Sequence, residues 1–124
     1  MTTNVLVLES FAEVYARRLR ELHPALHVMC ARNLREVPAK LDTIDVLIAF
    51  GIAIDDDLMQ RLTGLKWVQS LATGVDHFTK SAYLRKETLL TSARGIHGPA
   101  MRETVAFLLL SLTRDAPRLM ANKA

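Results

Sequence analysis

Five short apolar runs, each separated from the next by a stretch of helical character, recur along the chain: NVLVL (residues 4–8), LHVMC (26–30), DVLIAF (45–50), WVQSL (67–71) and LLTSA (89–93). This rhythm constrains the fold more than any other feature. A strand followed by a crossover helix returns the chain to the same end of a sheet, so the alternation predicts parallel pairing. Several runs are apolar at almost every position, as strands are when helices cover both faces. The expectation is an α/β fold, a doubly wound five-stranded parallel sheet of the flavodoxin-like order 2-1-3-4-5, with a long helix after the last strand.

The helices have readable boundaries. The first is predicted over residues 11–22, with Ser10 as N-cap, Glu13 completing a capping box and Pro24 beyond its end. A short helix or turn is predicted at 34–41 and another helix at 55–62, opened by Asp55, Asp56 and Asp57 and closed before Gly64. A further helical turn is expected at 79–85. The last helix starts near Pro99, a residue suited to a first turn, and runs at least to Thr113 and past Pro117 toward the end.

Composition excludes several classes of function. The chain has 124 residues, enough for one domain with its own core and no staple of disulfides or metal. One cysteine, Cys30, forms no internal disulfide, and a reducing, cytoplasmic compartment is expected. A net charge of +3 is too weak to indicate nucleic acid. The excess is uneven: residues 1–83 carry a net −1 and residues 84–124 a net +4. The apolar run TVAFLLLSLT (104–113) is about half the ~20 residues that a membrane span requires, so no membrane is expected. No secretory leader, GxGxxG, GxxxxGK[ST] or G-x-S-x-G motif occurs.

In open parallel sheets ligands collect beyond the carboxyl ends of the strands, which directs attention to two loops. The first, ATGVDH (72–77), holds Gly74, whose permissive backbone and missing side chain suit a nest of N–H groups that holds an anion. The same residues also describe a tight turn in which Asp76 bonds local N–H groups. The second, ARGIHGPAM (93–101), places Arg94 and His97 before a helix N-terminus, a position that attracts anions, while Gly95 and Gly98 also suit a plain connection. Other residues read as structural. The three aspartates cap a helix, Pro24 separates His23 from His27, Trp67 belongs to the core, Cys30 is packed and inert, and the arginines at 17, 18 and 20 lie on a solvated face. No metal site is expected.

Taken together, LKWVQSLATGVDHF (65–78) and LLTSARGIHGPAMRETVAFLLLSLTRD (89–115) resemble the substrate-binding domain of the D-isomer-specific 2-hydroxyacid dehydrogenases. The specific part is the paired signature of a strand ending in a small-residue GVD turn, then a strand, a glycine-containing loop and a long helix. The resemblance implies that backbone amides of Ala72, Thr73, Gly74 and Val75 bind the carboxylate of a small 2-oxo or 2-hydroxy acid. It places His97 where the family often has Asn, and Met101 near the nicotinamide; Arg94 adds charge without a family counterpart. It implies residues 1–98 as the substrate-binding domain and 99–124 as the helix leading to an NAD- or NADP-binding domain in a homodimeric parent. The family's catalytic Arg, Glu and His have no counterpart in this sequence, which reads as an inactive portion of a longer enzyme. Two other classes of function compare differently with the sequence. A receiver domain needs a phosphoacceptor aspartate after the third strand, where Ala49, Phe50 and Gly51 stand. A stand-alone carboxylate-binding or regulatory module is the remaining alternative.

Overall fold

The computed structural model describes residues 2–51 and 54–122. These fall into two compact units, residues 1–93 and 94–124. The first contains strands β1 (Thr3–Leu8), β2 (Leu26–Ala31), β3 (Val46–Ala49), β4 (Trp67–Ser70) and β5 (Leu89–Ser92), with helices α1 (Ala12–Leu22), α2 (Asp56–Arg61) and α3 (Asp76–Thr79) between them. All four strand pairings are parallel and the order is β2-β1-β3-β4-β5, as the rhythm of the sequence predicts.

Alternation within the strands divides the core into two layers. Leu6, Leu8, Leu47, Ala49 and Val68 face α2 and α3 and pack with Leu58, Met59, Leu62 and Phe78. Val5, Val7, Val28 and Val46 face the opposite way and pack on Ala12 and Ala16 of α1. Each large apolar side chain buried in this way stabilises the fold by roughly 1.5–3 kcal/mol. Phe78 is fully buried, although α3 is only one turn long. That ring anchors the short helix to the sheet and so fixes the far end of the loop that follows β4.

Asp45 holds the amino ends of three strands together. Its carboxylate accepts from Asn4 N (2.9 Å) and pairs with Lys66 Nζ (2.6 Å), while its carbonyl accepts from Lys66 N (2.8 Å) and Trp67 N (3.1 Å). The Lys66 ammonium and then the Asn4 amide hold its carboxyl below the usual carboxylate range.

Several helix boundaries differ from expectation for identifiable reasons. Ser10 does not cap α1. Phe11 occupies the N-cap position without a side-chain bond, and Glu9 accepts the Phe11 N–H instead. Glu13 does not close a capping box, because its carboxylate bonds Arg20 (3.1 Å) and Cys30 Sγ (2.8 Å). Asp55 does cap α2, accepting from Leu58 N at 2.9 Å. The segment 34–41 contains only the 3₁₀ turn Leu34–Glu36. The helical turn expected at 79–85 comes earlier, at Asp76–Thr79, where Val75 O accepts from Phe78 N and Thr79 N as Phe78 enters the core.

The second unit contains α4 (Gly98–Thr113) and α5 (Ala116–Ala121). Pro99 occupies the first turn of α4, as its missing donor favours. Asp115 takes the left-handed conformation (φ 49°) and separates the two helices, so the predicted helix is broken after Thr113. Its expected continuation to the end of the chain lies outside the described residues at 123 and 124.

Candidate substrate-binding turn

The site begins with one serine. Along β4, Val68 and Ser70 share the inward-facing side, and Ser70 is 0% exposed, the buried polar residue among the described core. A buried hydroxyl needs partners, and this one finds them in the loop just ahead of it. Its oxygen accepts from Ala72 N at 3.2 Å, and the same Oγ lies 3.2 Å from the carbonyl oxygens of Ala72 and Gly74, which share its one proton as acceptors. The Ala93 amide adds a second tie, donating to Ser70 O and Ala72 O, both at 3.1 Å. Leu71 N completes the attachment by donating to Ala49 O at 2.9 Å.

The loop is therefore bound to the fold through carbonyls and through the first amides, Leu71 and Ala72. The next three behave differently. The N–H groups of Thr73, Gly74 and Val75 donate to no acceptor among the described residues. Thr73 and Gly74 are exposed and Val75 is half-buried. Three successive donors at the carboxyl end of a central-to-edge strand can satisfy the two oxygens of a carboxylate. Each such charge-assisted bond is worth about 1.5–3 kcal/mol. Of the four residues expected to form the site, Ala72 differs from the others, because its N–H is already engaged by Ser70.

Gly74 also departs from one part of the expectation. It does not adopt positive φ; Gly95 does, at 92°. A Cβ placed on Gly74 would meet nothing within 4 Å. Neither backbone strain nor internal packing asks for glycine there. The space a side chain would take there is open. The Asp76 carboxylate makes no hydrogen bond among the described residues, so the turn is held by Ser70 rather than by an aspartate-centred turn.

Beside the loop, Gln69 Nε2 donates to Ser70 O at 2.8 Å, and Thr91 Oγ1 donates to Gln69 Oε1 at 2.7 Å. Trp67 Nε1 donates to Thr91 Oγ1 at 2.8 Å. Trp67 was expected in the core, but it is 37% exposed, because it heads β4 on the face that α1 does not fully cover. It lines an apolar groove of about 660 Å³ with Leu19, Leu22, Leu26, Val46 and Ile48. That groove offers a carboxylate no convergent donors.

Arg94, His97 and Met101 belong to the second unit, residues 94–124. All three are exposed. His97 is the N-cap of α4 without capping through its side chain, and its carbonyl accepts from Met101 N at 3.0 Å, which puts the two one turn apart. Arg94 makes no ion pair among the described residues. Cys30 is half-buried, and the Glu13 carboxylate beside it pushes its thiol up, away from a reactive thiolate. No group of three or more potential metal ligands occurs among the described residues. No helix there is long and apolar enough to cross a membrane.

Residues 5–123 match the catalytic domain of the D-isomer specific 2-hydroxyacid dehydrogenases. The chain belongs to that family. Among solved structures, a D-isomer specific 2-hydroxyacid dehydrogenase family protein from Aeromonas salmonicida subsp. salmonicida A449 is 31% identical with a TM-score of 0.86. The match covers 99% of this chain and 39% of the Aeromonas protein. Two more distant structures share the fold. A probable 2-hydroxyacid dehydrogenase from Rhizobium etli CFN 42, in complex with NADP, HEPES and L(+)-tartaric acid, is 18% identical (TM-score 0.66; 99% of this chain, 38% of that one). D-lactate dehydrogenase from Aquifex aeolicus, complexed with NAD and lactic acid, is 20% identical (TM-score 0.70; 95% of this chain, 37% of that one). The chain thus spans about two-fifths of the length of these family members. No curated protein matches it significantly.

Proposed function

We propose that the chain is the substrate-binding portion of an oxidoreductase that transfers a hydride between NAD(P)H and a small 2-oxo or 2-hydroxy acid. The reaction type is that of a D-2-hydroxyacid dehydrogenase or a glyoxylate/hydroxypyruvate reductase. The observation that carries this reading is the turn after β4, where Thr73, Gly74 and Val75 present three successive N–H groups without acceptors among the described residues. In a member of this family, an anion-binding turn of that kind fits the carboxylate shared by every such substrate. Holding the carboxylate by backbone amides fixes the acid by the group that does not react, and so orients the carbon that does.

The coenzyme would supply the hydride. The chain has no glycine-rich dinucleotide turn, so its residues do not fit that group, and no step of hydride transfer is derived on them. We assign coenzyme binding mainly to another part of the parent enzyme and name no catalytic residue here. On this reading the chain alone has no dehydrogenase activity. In the assembled enzyme Arg94, His97 and Met101 lie near substrate or nicotinamide, with Arg94 adding positive charge and His97 a hydrogen-bond donor. The parent is a cytoplasmic homodimer. Support comes from relatives of the same fold, whose complexes hold NADP with tartaric acid or NAD with lactic acid. The test is oxidation of NADH or NADPH by the full-length product of the gene with glyoxylate, hydroxypyruvate and related 2-oxo acids. Turnover that disappears in the Gly74→Ala variant is expected. Absence of turnover with every 2-oxo acid tried, in a folded protein, refutes the reading.

A further inference from the structure

We infer that Ser70 is the positioning residue of the substrate-binding turn, the group that keeps the Thr73 and Val75 amides available to a carboxylate. The inference rests on the proposed reading of that turn and deepens it. A serine is out of place where Ser70 stands. Its neighbours in the layer are Ala49, Val68 and Phe78, all apolar and buried, and an alanine would satisfy the pattern of the strand. The hydroxyl instead reaches forward along the chain, taking the Ala72 N–H and approaching the carbonyls of Ala72 and Gly74, each at 3.2 Å.

Those partners decide which way the loop presents itself. A peptide unit has its carbonyl and its N–H on opposite sides, so drawing the Ala72 and Gly74 carbonyls toward a buried hydroxyl turns the N–H groups of Thr73 and Val75 the other way. Gly74, between them, carries no side chain to cover what is exposed. One buried oxygen thereby sets the orientation of two peptide units without touching the ligand.

The experiment uses the 124-residue chain labelled with ¹⁵N and titrated with D-lactate, following individual amides, beside a thermal melt of each variant. In the wild type, shifts at Thr73, Gly74 and Val75 are expected. Ser70→Ala should bind about tenfold more weakly, as expected for loss of one well-aligned charge-assisted bond, when measured well below its melting temperature. Ser70→Thr, which keeps the hydroxyl, should recover most of the affinity. A purely structural role predicts a lower melting temperature with unchanged affinity of the folded molecules, and that outcome overturns the inference while leaving the turn as the site. Absence of shifts in the wild-type turn overturns both. Should Ser70→Ala fail to fold, hydrogen exchange in the wild type decides: the Ala72 amide should be protected and the Thr73, Gly74 and Val75 amides fast. Equal exchange at all four contradicts the inference.

Discussion

Gly64 stands just before β4 and Gly74 just after it, and a methyl group added to each would meet different surroundings. On Gly64 a Cβ would lie 2.3 Å from the Asp42 carbonyl oxygen and 3.3 Å from that of Ile44; on Gly74 it would meet no atom within 4 Å. The amino end of the strand is closed around its glycine. There Asp45 also gathers Asn4, Lys66 and Trp67 into one set of hydrogen bonds. At the carboxyl end a buried serine and the Leu71 and Ala93 amides tie the loop down, yet three amides are left without acceptors among the described residues. The contrast separates two uses of the same scaffold. One end of the sheet gains stability from satisfied polar groups; the other keeps unsatisfied donors, which on the proposed function a ligand would satisfy.

Substitutions at the two ends should therefore differ in kind as well as in size. The largest loss of stability is expected from Gly64→Ala, about 3 kcal/mol, since backbone atoms rather than a flexible side chain must give way. Denaturant unfolding measures it, and a value near zero would remove the basis for calling that end closed. Asp45→Ala should cost about 1–2 kcal/mol by leaving the Asn4 amide without its partner. The carboxyl of Asp45 titrates below its usual value in the fold, so its contribution is present above the ordinary carboxylate range and is lost as pH falls through the depressed folded value. Wild-type stability should accordingly drop on acidification below about pH 4 by a step that Asp45→Asn lacks. Lys66→Ala should cost less than about 1 kcal/mol, because the lysine side chain is 73% exposed and water screens the pair. Gly74→Ala should change stability by no more than about 0.5 kcal/mol. On the proposed function, the same substitution should weaken binding of a small carboxylate severely.

The sheet was legible because its strands are written in nearly continuous apolar runs, and the order 2-1-3-4-5 followed from their rhythm. The helix ends were less so. Glu13 has the right spacing for a capping box, but its tertiary partners Arg20 and Cys30 claim the carboxylate, and no local pattern reveals partners that folding brings close. Trp67 looked like core because sheet position, not residue type, decides what covers a strand head. At the turn, three of the four expected residues have N–H groups without acceptors among the described residues, but the expected role of glycine geometry does not hold. Gly74 needs no special backbone angle, while Gly95 does. Ser70 leaves one trace in the sequence, a hydroxyl at an inward position of an apolar strand. Its role depends on carbonyls two and four residues ahead, and these come within reach only once the loop has closed.

The proposed function requires the turn after β4 to hold a carboxylate. An amide-resolved titration of the 124-residue chain with D-lactate at millimolar concentration, repeated with chloride at equal ionic strength, tests it most directly. Saturating shifts are expected at Thr73, Gly74 and Val75 that chloride does not reproduce and that Gly74→Ala removes. Shifts confined to other residues, or identical in Gly74→Ala, would contradict it.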